Sequence, residues 1–164
     1  MKHLILIGLP GSGKTTVGRR VSQITALPFI DLDEVIEKKA GISIPQFFAQ
    51  QGEAAFRQVE HDELITVLSH RTSVISTGGG IVLSVENREL LRKNGYVLFL
   101  DRKIEDILTT LDVSHRPALQ NISLQAMAEK RRPLYLSCAD ACITENDVEM
   151  AAQQCAELWR KQKQ

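Results

Sequence analysis

Short apolar runs alternate along this chain with segments whose apolar residues recur every three or four positions. That is the pattern of a parallel sheet wrapped by helices. Leu4-Ile5-Leu6-Ile7 is apolar without alternation and stops at Gly8, as a central strand buried on both faces would. Val17, Val21 and Ile24 then fall at helical spacing over 16–24, and Pro28-Phe29-Ile30 reads as a second short strand ending at Asp31. Residues 33–39 read as helix. Gly41 and Pro45 bracket a turn, after which 46–50 and 53–69 carry helical patterns with Phe56, Val59, Leu64 and Leu68 inward.

The second half repeats the alternation. Val74-Ile75 is a strand that ends in Thr77-Gly78-Gly79-Gly80, 87–93 is helical, and Tyr96-Val97-Leu98-Phe99-Leu100 is the strongest late strand. Residues 104–111 read as helix, 112–123 as an exposed loop and 124–135 as helix. Ala141-Cys142-Ile143 is the expected last strand, and 147–161 a closing amphipathic helix with Trp159 inward. The order predicts an open parallel sheet covered by helices on both faces, with ligands at the carboxyl ends of its strands. No repeat, linker or low-complexity stretch interrupts it, and 164 residues suit one domain spanning 1–164.

Charge narrows the partners. Twenty basic residues balance twenty acidic ones, leaving no net field for a nucleic-acid backbone or an anionic membrane, so an anionic ligand must be met locally. The opening MKHLILIG holds too short an apolar run for a signal peptide, and no stretch approaches the roughly 20 apolar residues of a membrane span, so a cytoplasmic location is expected. Cys138, Cys142 and Cys155 lack paired spacing and are read as small buried apolar residues rather than as disulfides or zinc ligands.

Gly8-Leu9-Pro10-Gly11-Ser12-Gly13-Lys14-Thr15 fits G-x-x-x-x-G-K-[ST], and it lies between an apolar strand and a helix, where that motif works. Its glycines let consecutive N–H groups converge on phosphate oxygens at a helix N-terminus. Lys14 is expected to bridge the β- and γ-phosphates of ATP, and Thr15 to take a position on the accompanying Mg²⁺. Gly8, Gly11, Ser12, Gly13, Lys14, Thr15 and Thr16 are the expected nucleotide contacts. No N-K-x-D segment supports a guanine-specific switch. Asp101, after the apolar strand, imitates the magnesium-holding aspartate of motor ATPases but reads better as a turn or helix cap.

Asp31 and Asp33 follow the second strand closely enough to approach the phosphate loop. Asp31 suits Mg²⁺, and Asp33 suits an acceptor hydroxyl whose proton it takes, although either could instead cap a helix. Arg57 and Glu60 share a helix face, either as a surface ion pair or as a guanidinium held by a carboxylate to grip an anionic substrate. Three successive glycines, Gly78 to Gly80, imply that backbone approaches something closely.

Taken in order, GLPGSGKT, DLD, FRQVE, STGGG, HRP and RRPLY resemble the shikimate kinases, and the likeness covers nearly the whole chain. The resemblance implies a three-layer α/β/α fold of P-loop kinase type, with a five-stranded parallel sheet, a substrate-binding helical region near 33–61 and a mobile lid near 112–123. It implies transfer of the γ-phosphate of ATP to the 3-hydroxyl of shikimate, with Mg²⁺. By motif, Asp33 resembles the carboxylate holding the acceptor hydroxyls, Asp31 the one near Mg²⁺, and Arg57 and Arg131 the pair gripping the shikimate carboxylate. Gly78, Gly79 and Gly80 resemble the pocket wall, Arg116 the catalytic lid arginine over the phosphates, and Phe48 and Phe56 pocket aromatics. Arg132 is expected to be solvated.

Two departures from the family pattern stand out. Leu108-Thr109-Thr110 occupies the region where an adenine-contacting arginine is often found, and the stretch from Arg116 to Arg131 is short. A monomer is the default. The competing readings are another small-metabolite kinase, gluconate kinase-like or nucleoside monophosphate kinase-like, and a non-catalytic ATP-binding module.

Overall fold

The computed structural model describes residues 2–110 and 120–164. Five parallel strands, β1 (His3–Ile7), β2 (Phe29–Asp31), β3 (Val74–Ser76), β4 (Gly95–Leu100) and β5 (Ala141–Ile143), form one sheet in the order β2-β3-β1-β4-β5. The helices are α1 (Lys14–Thr25), α2 (Leu32–Ala40), α3 (Ile44–Leu68), α4 (Val85–Asn94), α5 (Ile104–Thr110), α6 (Gln120–Cys138) and α7 (Val148–Gln162). This is the three-layer α/β fold that the alternation of apolar runs predicts.

β1 is central because its residues satisfy two cores at once. Leu4 and Leu6 point into a cluster with Val17, Val21 and Trp159 beneath α1 and α7, while Ile5 and Ile7 point into a larger one with Leu32, Phe56, Leu64 and Tyr135. All four are fully buried, so the uninterrupted apolar run reports two covered faces. The register pairs Leu6 and Asp31 with Ser76 and Ile7 with Phe99, which brings the carboxyl ends of β1 to β4 to one edge. The loops after those ends build the site.

α3 is two helical pieces in one, broken at Gly52 (φ 83°, ψ 171°) and started by a reciprocal capping box between Ser43 and Gln46. Two expectations need correction. Residues 120–123 are the first turn of α6 rather than loop, and the rest of the expected lid, 112–119 with Arg116, lies outside the described residues. Cys138 and Cys155 are buried as expected, but Cys142 is exposed, because β5 is an edge strand and alternation turns Cys142 away from the core that Ile143 enters.

Candidate active site

The phosphate loop closes β1 onto α1. Gly13, at φ 92°, precedes α1 in a left-handed conformation that a side chain would strain, and no side chain caps the helix. The first N–H groups of α1 are therefore free for an anion. Lys14 folds back over this loop and donates to the carbonyls of Gly8 at 2.7 Å and Leu9 at 2.9 Å. Burial lowers its pKa to about 8, against the opposing pull of Asp33 and Asp31. The Ser12 hydroxyl is buried with no hydrogen-bond partner. A Cβ on Gly8 would sit 2.9 Å from it.

The acidic pair divides its work. Asp31 Oδ1 accepts from the Glu34 N–H and caps α2, while Oδ2 accepts from the Thr15 hydroxyl at 2.6 Å. The capping and site readings of Asp31 are thus compatible, because each uses one oxygen. Asp33, two residues on in α2, has its pKa raised by burial first and by Asp31 second, with Lys14 opposing.

The acceptor side is assembled from distant segments. A Cβ on Gly78 would come within 2.8 Å of Asp33 Oδ1 and 3.0 Å of Glu60 Oε2, one on Gly79 within 2.7 Å of Pro10 Cδ, and one on Gly80 would collide with the Arg57 guanidinium. All three glycines are required by close approach. Arg57 donates to Glu60 at 2.9 Å, and Glu60 is 1% exposed, so this is not the surface pair that sequence alone allows. Burial raises the Glu60 pKa while Arg57 counteracts it. Arg57 also lies against Phe56 and Phe48, and its buried Nε has no hydrogen-bond acceptor.

These elements enclose one cavity of about 1180 Å³, lined among others by Lys14, Thr15, Asp31, Asp33, Arg57 and Arg131. Gly11, Gly13, Thr16 and the three glycines line it as well, whereas Gly8 and Ser12 do not. Among the sequence-derived candidates, only Arg116 falls outside the described residues. Arg132 is exposed, as expected, but is paired with Asp101 at 2.8 Å, so Asp101 holds an arginine of α6. Sequence reasoning missed Glu37, Ile44, Pro45 and Arg102 as lining residues. Glu37 follows Asp33 by four positions on α2, a signal that was available; Arg102 carries no pattern.

A phosphate-binding loop at the edge of a parallel sheet, facing a pocket that holds a carboxylate and arginines, defines a P-loop kinase, a phosphotransferase acting on a small acceptor. The family model described as shikimate kinase matches residues 10–160. A shikimate kinase of Xanthomonas oryzae pv. oryzae is 40% identical over 161 residues, covering 95% of this chain and 89% of that one. One from Dictyoglomus turgidum is 41% identical over 147 residues, covering 85% and 86%. The solved structure of the Acinetobacter baumannii shikimate kinase in complex with shikimate has a TM-score of 0.92 at 34% identity, covering 99% of this chain and 95% of that one. This chain belongs to the shikimate kinase family.

Proposed function

We propose that the chain transfers the γ-phosphoryl group of ATP to the 3-hydroxyl of shikimate, giving shikimate 3-phosphate and ADP. The observation that carries this reading is that Lys14, Asp33, Arg57 and Arg131 line one cavity with the three glycines, so a phosphate site and an anionic-acceptor site face each other.

The loop N–H groups and Lys14 hold the ATP phosphates, with Gly8, Gly11, Ser12, Gly13, Thr15 and Thr16 shaping the cradle. Lys14 already hydrogen-bonds loop carbonyls, and it exchanges them for β- and γ-phosphate oxygens when nucleotide binds. Thr15 and Asp31 converge as two hard oxygen donors, which suits Mg²⁺ held by few protein ligands beside phosphate. Bound there, Mg²⁺ would neutralise charge on the phosphate oxygens.

Arg57, steadied by Glu60, and Arg131 grip the shikimate carboxylate. Gly78, Gly79 and Gly80 let the ring lie against backbone. Asp33 accepts a hydrogen bond from the 3-hydroxyl and takes its proton as the oxygen bonds to the γ-phosphorus and the bond to ADP breaks. Its raised pKa makes it a better base than an exposed aspartate. Arg116, outside the described residues, takes by family resemblance the role of stabilising charge on the transferring group.

A cytoplasmic location goes with this reading, and a monomer is its default; among the described residues, no helix is long and apolar enough to cross a membrane. Phosphorus–proton NMR of the product tests the assignment. Coupling of the new phosphate to the C3 proton is expected, and a phosphate on another oxygen, or no phosphorylated product, would overturn it.

A further inference from the structure

Tyr135 is the largest fully buried side chain among the described residues, and the mechanism above does not use it. Its ring stacks on Phe99 with centroids 4.9 Å apart, and its hydroxyl donates to the Gly79 carbonyl at 2.5 Å. Burial pushes its pKa up to about 12, so the phenol remains a donor throughout the working pH range. Packing alone would be met by phenylalanine; the hydroxyl has specific partners, the Gly79 carbonyl of the acceptor wall and the Arg131 side chain, whose hydrogen bond and charge oppose the effect of burial.

The three glycine carbonyls are all committed. Gly78 accepts from the Ile81 N–H, Gly80 from the Leu83 N–H, and Gly79 from Tyr135. The first two bonds are local turns of the backbone, whereas the third reaches across from α6. A trans peptide sends the Gly80 N–H in the direction opposite to the Gly79 carbonyl, and among the described residues no acceptor takes that N–H. Glycines have little intrinsic preference for one peptide orientation, so an external hydrogen bond is what selects it. Arg131 lies one turn before Tyr135 on the same face of α6 and lines the cavity.

We propose that Tyr135 is a positioning residue for the acceptor: its hydroxyl fixes the Gly79–Gly80 peptide so that the Gly80 N–H is presented to an oxygen of the bound acceptor. One helix thereby sets both the glycine wall and, through Arg131, the grip on the acceptor's anionic group. The proposal rests on the reading of the cavity as a shikimate site.

Tyr135→Phe keeps the ring and its stacking and removes only the hydroxyl. The KM for shikimate should rise about tenfold while the KM for ATP and kcat stay within about twofold. A lower melting temperature with unchanged shikimate KM, or an equal rise in both KM values, would overturn the proposal. A second measurement needs only the wild-type chain, in case the variant does not fold. The Gly80 amide resonance of nitrogen-15-labelled protein should shift when shikimate is added without nucleotide, and an unmoved Gly80 signal would overturn the proposal by itself. Wild-type turnover is measured first. Its absence would overturn the functional reading and this proposal together, whereas the other failures overturn this proposal alone.

Discussion

The phosphate loop and the acceptor pocket share one cavity but are built in opposite ways. The loop is eight consecutive residues between a strand and a helix, held by its own backbone, with the helix N-terminus as the main attractor. The acceptor pocket gathers Asp33 from α2, Arg57 and Glu60 from α3, three glycines after β3 and Arg131 from α6. Glu60 is buried and Asp33, Arg57 and Arg131 are half-buried around it, so the charges are mutually dependent and each costs more when its partner is lost. The contrast teaches that a local motif can supply nucleotide binding, whereas acceptor choice depends on how the layers pack.

The largest expected effect breaks the loop. Lys14→Ala should lower kcat/KM by about 10³-fold or more, as loss of the charge on the transferring group does, and weaken ATP binding in calorimetry. Next comes the boundary between the two halves. Asp33→Asn should lower kcat by about 10²- to 10⁴-fold, as loss of a general base does, with ATP affinity preserved. A parallel loss of ATP affinity would show that the halves are not separable.

Arg57→Lys tests the acceptor half alone. An ammonium cannot reproduce the fork that holds Glu60 and an acceptor carboxylate, so the KM for shikimate should rise about 10- to 100-fold while the KM for ATP does not change. Equal KM values in variant and wild type would reduce the pair to packing.

The smallest effects come from pH, and they fall on opposite halves. Asp33 has a raised pKa and must be ionised to accept a proton, so kcat/KM for shikimate should fall on the acid side with a midpoint above the ordinary aspartate value of 3.8. Lys14 has a lowered pKa and must be protonated to hold phosphate, so ATP affinity of the free chain should fall as pH rises past about 8. A pH profile of binding and of turnover checks both limbs.

The same contrast decided what the sequence revealed. The phosphate loop is contiguous and could be read residue by residue. The strand order β2-β3-β1-β4-β5 could not be, although the double burial of β1 was legible in its unbroken apolar run. Asp31 looked like either a cap or a site residue, and the two readings are compatible, since one carboxylate oxygen caps α2 and the other meets Thr15. Arg57 and Glu60 were ambiguous because helical spacing says which residues meet but not whether they are buried; the answer lies in Gly78 and Gly80, which pack against them from the loop after β3. Tyr135 drew no reading of its own beyond its place in RRPLY, because its hydroxyl partner, Gly79, is 56 positions away. Residues 120–123 were read as loop but form the first turn of α6, and local propensity is a weak guide to where a helix begins.

The most direct test of the central claim is ADP release by the purified chain with ATP and Mg²⁺, comparing shikimate, gluconate, nucleoside monophosphates and no acceptor. The account predicts release that depends on shikimate and is negligible with the others. Release that is independent of acceptor, or stimulated by gluconate or a nucleotide in place of shikimate, would contradict it.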